Sequence, residues 1–205
     1  MNLFAERVRP RLLDVAMRAP ALSQVRARVC ADLRGDVLEI GYGSGRNTPH
    51  LPPAVRAVWA VEPSRTALAL SAARRAASPV PVVVAGDDAQ RLDLPDRRFD
   101  AALCTWTLCG IPDPVAALRE VARVLRPGGT LHFVEHGLSP DTRVARRQHR
   151  GSGLHRRVAG CVLDRDVPAL LAAAGLHARA LRTYHLPGAP RVSGTLHEGV
   201  AVPVG

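Results

Sequence analysis

The stretch VLEIGYGSGRNTPHLP, from Val37 to Pro52, decides the fold. A short apolar run carries one acid, Glu39, and then three glycines, Gly41, Gly43 and Gly45, stand at alternate positions. An apolar run that stops at a glycine-rich loop reads as a buried strand followed by a turn where backbone amides can approach a ligand. The spacing is not the phosphate-gripping GxxxxGK[ST], and it is not GxGxxG, because the third glycine comes one residue early. Taken alone, the loop is equally compatible with a tight turn that binds nothing.

Working outward, the chain alternates between strand and helix signals. Residues 1–34 read as one or two amphipathic helices, with Leu3, Phe4, Val8, Leu12 and Leu13 near helical spacing. Strands are expected at 36–40, 57–62, 81–85, 98–106 and 130–136. Helices are expected from Arg46 to about Leu51, from Ser64 to Ala76 with Ser64 as cap, and from Asp113 to Leu125 with Asp113 as N-cap and Pro114 in the first turn. A helix near 166–174 separates two last strands, near 177–184 and 195–202. This rhythm predicts an α/β, doubly wound, mainly parallel sheet with helices on both faces, whose ligands bind at the carboxyl ends of the strands.

The 205 residues suit a single domain (1–205), with a helical segment at 1–34 and an insertion on the substrate side at 137–165. Apolar residues make up 47%, no run reaches the length of a membrane span, and the start of the chain lacks the apolar centre of a signal peptide, so a cytoplasmic location is expected. Cys30, Cys104, Cys109 and Cys161 show no zinc-ligand spacing and read as buried thiols, and no metal is expected. The net charge of +10 comes from arginine, since the chain contains no lysine. Scattered arginines fit compositional bias; those between Arg143 and Arg157 cluster, as for an anionic substrate or a weak contact with a membrane surface.

Two more acidic positions give the glycine loop a partner. Glu62 ends the second strand, where a carboxylate can accept both hydroxyls of a ribose. Gly86-Asp87-Asp88-Ala89-Gln90 follows the third strand, where a side chain could receive an adenine amino group. Together these positions describe a nucleoside lying across strands one to three.

VLEIGYGSG, VEPS, GDDAQRLDLPDRRFD and LREVARVLRPGGTLHFVEHG resemble the successive motifs of class I S-adenosylmethionine-dependent methyltransferases, in family order, over about residues 35–137. The resemblance implies a Rossmann-like, seven-stranded sheet whose last strand is antiparallel. It implies that Glu39, Gly41 and Gly43 line the methionine end of S-adenosylmethionine, with Tyr42, Gly45, Asn47, Pro63 and Thr105 alongside. Glu62 would hold the ribose, Asp88 and Ala89 the adenine, and Cys104 would wall the methionine moiety or simply pack in its strand.

Asn47, CTWTLCGIPDPVAALREVARVLRPGG, FVEHG, GCVLDRD and LHEGVAVP are similar to a narrower branch, which includes the animal microsomal thiol S-methyltransferases and bacterial relatives. The animal enzymes carry a hydrophobic N-terminal anchor that this sequence does not show, so membrane attachment is not expected to carry over. The quinone-biosynthesis methyltransferases look similar over the same core. A small-molecule acceptor follows, a thiol by preference, with O- or N-methylation of a metabolite, quinol or lipid head group as the alternative.

A thiol ionises near neutrality and needs little help, whereas a hydroxyl or amine usually needs a base. His136 and Glu135 are the candidate bases; Trp106, Thr107, His149 and His155 are other residues on the acceptor side, and a helix within 1–19 could lid the cofactor. An RNA methyltransferase would use the charge, but CTWT stands where an (Asn/Asp)-Pro-Pro-aromatic motif would serve amino groups of nucleic acid, and aromatic residues are only 3%. A nicotinamide-dependent oxidoreductase would need a different glycine spacing.

Overall fold

The structure, a computed structural model, describes residues 3–204, so the first two residues of the expected N-terminal helix lie outside the described residues. A π-helical turn (Phe4–Val8) leads into α1 (Arg9–Ala16), and α2 (Pro20–Cys30) follows after a break, with Pro20 at its first position. The seven strands are β1 (Gly35–Ile40), β2 (Val55–Val61), β3 (Val82–Gly86), β4 (Phe99–Thr105), β5 (Leu125–His136), β6 (Leu176–His185) and β7 (Thr195–Pro203). The helices among them are α3 (Arg65–Ala76), α4 (Pro114–Val124), α5 (Thr142–Ala159) and α6 (Val167–Ala173).

The sheet order is β3-β2-β1-β4-β5-β7-β6. Pairs from β3 to β5 are parallel, and β7 runs antiparallel to both β5 and β6. The expected seven-stranded, mostly parallel sheet is therefore present. Its order turns back between β1 and β4, and that switch point is where doubly wound sheets leave a crevice.

β1 and β4 are buried along nearly their whole length, as continuous apolar strands covered on both faces should be. Alternate side chains serve opposite layers. Leu38, Ile40, Ala102, Cys104, Leu131 and Phe133 pack with Leu118 and Val121 of α4 and Leu171 of α6. Val37, Ala101, Leu103 and Val134 pack with Val25, Val29 and Cys30 of α2 on the other side. On α4, Pro114, Ala117, Leu118, Val121 and Val124 form the inward stripe.

Three local expectations change. The helix expected from Arg46 to Leu51 is only a 3-10 turn, Thr48–His50, after which Leu51 is extended. Pro52 and Pro53 explain it: a residue before proline is pushed out of the helical region. β5 begins at Leu125 rather than 130, so the RPGG segment runs into the strand, with a register shift against β4 between Phe99 and Ala101. The insertion at 137–165 contains an unexpected helix of 18 residues, α5, whose buried positions Val144, Gln148 and Ser152 are mostly polar.

Ser64, Asp113 and Asp166 cap α3, α4 and α6, each accepting a backbone N–H from three residues on. Asp113→Ala should cost about 1 kcal/mol. A thermal melt should then fall by about 2–4 °C, with the near-ultraviolet signal of the native state retained.

Candidate functional site

Strand parity puts Glu39 at the end of β1 and Thr105 at the end of β4 on the face that α2 covers. Glu39 is 1% exposed, and burial pushes its carboxyl up to about 8, against the hydrogen bond from Asn47 and the nearby Arg26 charge. Asn47 joins the two strand ends: its Nδ2 donates to Glu39 Oε1 at 2.8 Å and to Thr105 Oγ1 at 2.9 Å. Arg26 reaches down from α2, donating Nη1 to Asn47 Oδ1 at 2.8 Å and stacking 4.6 Å from the centre of the Trp106 ring. Burial lowers Arg26 to about 10, partly opposed by Glu39. Trp106 takes a left-handed backbone (φ 50°), a costly conformation for a bulky residue that its surroundings hold in place.

The glycine loop sits above this network. Gly41 (φ +70°) leaves no room for a side chain, since a Cβ would lie 2.1 Å from Thr107 Oγ1. At Gly43 (φ +59°) a Cβ would meet only the Gly41 carbonyl oxygen at 3.8 Å, so the backbone is open on that side. The Gly43 N–H donates to Glu62 Oε2 at 2.7 Å, and the Ser64 N–H donates to Glu62 Oε1 at 2.8 Å. The intervening Pro63 is exposed and has no N–H of its own. Burial raises the Glu62 carboxyl, opposed by these two amides. Tyr42 is buried, its hydroxyl 2.9 Å from Thr48 Oγ1, and supports Gly45 from below.

A second clamp holds the loop from outside. The buried residue of α1 is Asp14. It accepts from Ser44 Oγ at 2.7 Å and from Arg46 Nη2 at 2.7 Å, and pairs with Arg18 at 2.8 Å and Arg74 at 3.4 Å. Burial pushes this carboxyl up, but hydrogen bonds from Arg18, Ser44 and Arg46 reverse the effect and hold it well below the usual carboxylate range.

Asp88 is exposed at the end of β3, its Oδ1 fixed by the backbone and side chain of Gln90, both at 2.9 Å. Ala89 packs against the core beside it.

Two expected residues are elsewhere. Cys104 does not wall the crevice: it points to the α4 side of the sheet, fully buried, and its thiol donates to Glu135 Oε1 at 3.1 Å. Glu135 is 0% exposed and takes the Thr107 N–H at 2.8 Å, so it anchors the turn after β4 instead of facing an acceptor. Burial lifts it to about 7, opposed by the Thr107, Leu108 and Cys109 amides and the Cys104 thiol. His136 is half-buried with an enclosed Nδ1; burial, then the neighbouring His155, lowers it to about 4. His149 pairs with Asp164 at 2.8 Å and His155 bonds the Cys161 carbonyl at 2.9 Å.

Arg26 and Asp14 escaped sequence reading. The available signal was a charge inside an apolar stripe, since Arg26 falls between Val25 and Val29 on the inward side of α2.

The buried Glu39 Oε2 has no partner. A desolvated carboxylate oxygen without a donor fits a cationic group of a ligand. Together with the open backbone at Gly43 and the Glu62 carboxylate, it is a donor and acceptor set suited to the methionine and ribose parts of S-adenosylmethionine.

Removing the Asp14 charge tests the outer clamp. Asp14→Asn should cost about 3 kcal/mol in urea unfolding at pH 7, as breaking a buried ion pair does, and should raise hydrogen exchange over residues 9–16 and 43–46. Because the folded carboxyl titrates below the unfolded one, the advantage of the native protein is full at neutral pH. It should disappear as pH falls below about 4.

The family model described as "Methyltransferase domain" matches residues 38–133. The human thiol S-methyltransferase TMT1B is 34% identical over 123 residues, covering 58% of this chain and 49% of that protein. A demethylmenaquinone methyltransferase of Mycobacterium sp. (strain KMS) is 40% identical over 114 residues, covering 54% and 47%. The chain thus spans about half the length of the curated relatives it matches. A Thermotoga maritima structure described as a possible histamine N-methyltransferase superposes with a TM-score of 0.64 at 24% identity, over 94% of this chain and 95% of that one. With the seven-strand order, the glycine loop at its switch point and these matches in hand, the chain is similar over its core to the class I S-adenosylmethionine-dependent methyltransferases.

Proposed function

We propose that the protein transfers a methyl group from S-adenosylmethionine to a small thiol. The observation that carries the cofactor half is the unpartnered Glu39 Oε2 at the switch point. In this reading Glu39 meets the ammonium of the methionine moiety. Glu62 uses its remaining lone pairs for the ribose hydroxyls, and Asp88 and Ala89 border the adenine. When bound, S-adenosylmethionine supplies an electrophilic methyl group on a sulfonium. Thr105 and Asn47 keep Glu39 in position, and Arg26 keeps Asn47 in position.

The acceptor half rests on the two candidate bases. Glu135 is enclosed and engaged by a turn, and His136, with its value near 4, is a weak base at neutral pH. A thiol suits such a site, because solvent ionises it at a pKa near 8.5. The sequence similarity to thiol S-methyltransferases supports the same choice.

Cofactor binding should depend on pH through Glu39. A carboxyl near 8 must lose its proton before it faces an ammonium. Affinity for S-adenosylhomocysteine in calorimetry should therefore rise from pH 6 to 8, by up to about ten-fold per unit. Glu39→Gln should bind at least about ten-fold more weakly, about 1.4 kcal/mol, with a flat profile. An unchanged slope in that variant would remove Glu39 from the site.

The acceptor is tested with isotope-labelled S-adenosylmethionine and a mixed panel of alkyl and aryl thiols, phenols, amines and quinols. Label should appear on thiols, with rates that follow the thiolate fraction, and His136→Gln should lose far less than the ~100-fold expected for removal of a general base. Label on oxygen, nitrogen or carbon alone, or a His136→Gln loss of that size, would overturn the thiol reading.

A further inference from the structure

We propose that Cys109 and Cys161 form a thiol–disulfide exchange site, with small disulfides as its reactants, that fastens the substrate-side insertion to the turn after β4. Cys109 lies buried in that turn, which the Gly110 N–H closes onto the Thr107 carbonyl at 2.9 Å and Glu135 anchors from below. Cys161 follows Gly160, the left-handed cap that ends α5, and is half-buried. The Val162 N–H donates to the Cys109 carbonyl at 2.8 Å, so the backbones at the two cysteines run side by side. The Cys109 thiol donates to the Trp106 carbonyl at 3.7 Å and the Cys161 thiol to the Val162 carbonyl at 3.8 Å, and the nearby Cys161 together with burial raises the Cys109 thiol. A disulfide needs a Cα separation of about 4.4–6.8 Å, and backbones joined by the Val162–Cys109 hydrogen bond run close enough to supply it.

The other thiols are committed elsewhere. Cys104 donates to Glu135, and Cys30 packs on the opposite face of the sheet under α2. Among the described residues no group of three or more His, Cys, Asp and Glu side chains could hold a metal, so the pair does not belong to a larger ligand cluster.

Exposure sets the order of events. The Cys161 thiolate, reached from solvent, attacks a small disulfide RSSR, forming Cys161–S–SR and releasing RS⁻. The Cys109 thiol, raised by the nearby Cys161 and by burial, gives its proton to the RS⁻ released first, attacks the Cys161 sulfur as the thiolate and expels the second RS⁻, which takes a proton from water. The net change is protein(SH)₂ + RSSR → protein(S–S) + 2 RSH: two cysteine sulfurs are oxidised and one small disulfide is reduced. Closure ties α5, already held through Gln148 and the Ser152–Asp164 bond, to the end of β4 beside the site. Small thiols reverse the reaction. If they are also the acceptors, as the function above holds, the substrate frees the segment that borders its own site; the crosslink itself does not depend on that reading.

The test is incubation of the full chain with 2-hydroxyethyl disulfide, followed by non-reducing peptide mapping. A single linked pair of peptides carrying Cys109 and Cys161, lighter by two hydrogens, is expected, with slower deuterium exchange over 142–160. Cys161→Ser should yield no link, and Cys109→Ala should stop at a mixed disulfide on Cys161. Oxidised protein should turn over several-fold more slowly, with recovery on adding thiol, whereas Cys161→Ser should be insensitive. A mixed disulfide that persists on Cys161 in the native chain, a link through Cys30 or Cys104, or no reaction would overturn the site. Equal turnover of the oxidised and reduced forms would overturn its coupling to the insertion. A Cys109–Cys161 link in a protein that methylates only oxygen or nitrogen would support the site while the thiol-acceptor reading fails.

Discussion

Burying a carboxylate at the meeting point of two strands is the constraint around which the rest of this structure is arranged. An isolated charge in such a place costs several kcal/mol or takes up a proton. Glu39 is held there by an amide, Asn47, that a short loop can place opposite it, and by an arginine, Arg26, that only a helix lying across the sheet can deliver. The same amide reaches Thr105 on the neighbouring strand. One network therefore fixes the ends of β1 and β4, the glycine loop and α2, and it sits where the sheet order reverses. Shape and electrostatics at the crevice have a common origin.

The arginine excess takes on a different meaning beside this network. Arg26, Arg46 and Arg74 serve Glu39 or Asp14, Arg28 and Arg182 hold Glu198, and Arg123 and Arg126 tie Glu120, Asp96 and Asp100. Guanidinium groups suit this work because their fork of donors meets carboxylates at fixed angles and their charge survives burial. Part of the positive charge is thus engaged with acids of the same chain, and the exposed arginines of α5 form a cluster that faces outward.

How much of this was legible in the sequence depends on how local each signal is. Continuous apolar strands and the caps Ser64 and Asp113 could be read because each acts within a few residues. α5 could not, because its inward positions Val144, Gln148 and Ser152 do not form an apolar stripe; tertiary hydrogen bonds, such as Gln148 to the Gly137 and Val192 carbonyls, hold it instead. The turn at Thr48–His50 stays short because the two prolines that follow push Leu51 out of the helical region, a stop that lies beyond the residues that open the turn. Within the site, strand parity carries the signal. Counting in twos from Leu38 and Ala102 puts Glu39 and Thr105 on one face and Cys104 on the other, and counting from Phe133 sends Glu135 toward Cys104. The partners Arg26 and Asp14 lie far from the loop in sequence, and no local pattern announces them.

The same parity separates two buried glutamates that look alike in the sequence. Each closes a strand at the crevice end of the sheet, and burial pushes each upward, to about 8 for Glu39 and about 7 for Glu135. Glu135 takes the Thr107 N–H and the Cys104 thiol on Oε1 while its Oε2 is also buried without a partner, and it anchors the turn after β4. Glu39 receives one amide on one oxygen and keeps the other without a partner. What separates them is their surroundings: Glu39 lies beside the open backbone at Gly43 where the sheet order reverses, whereas Glu135 lies beneath the closed turn after β4. The difference between framework and site in this protein therefore lies in what borders each acid, an open loop or a closed turn, and not in the residue type or its depth.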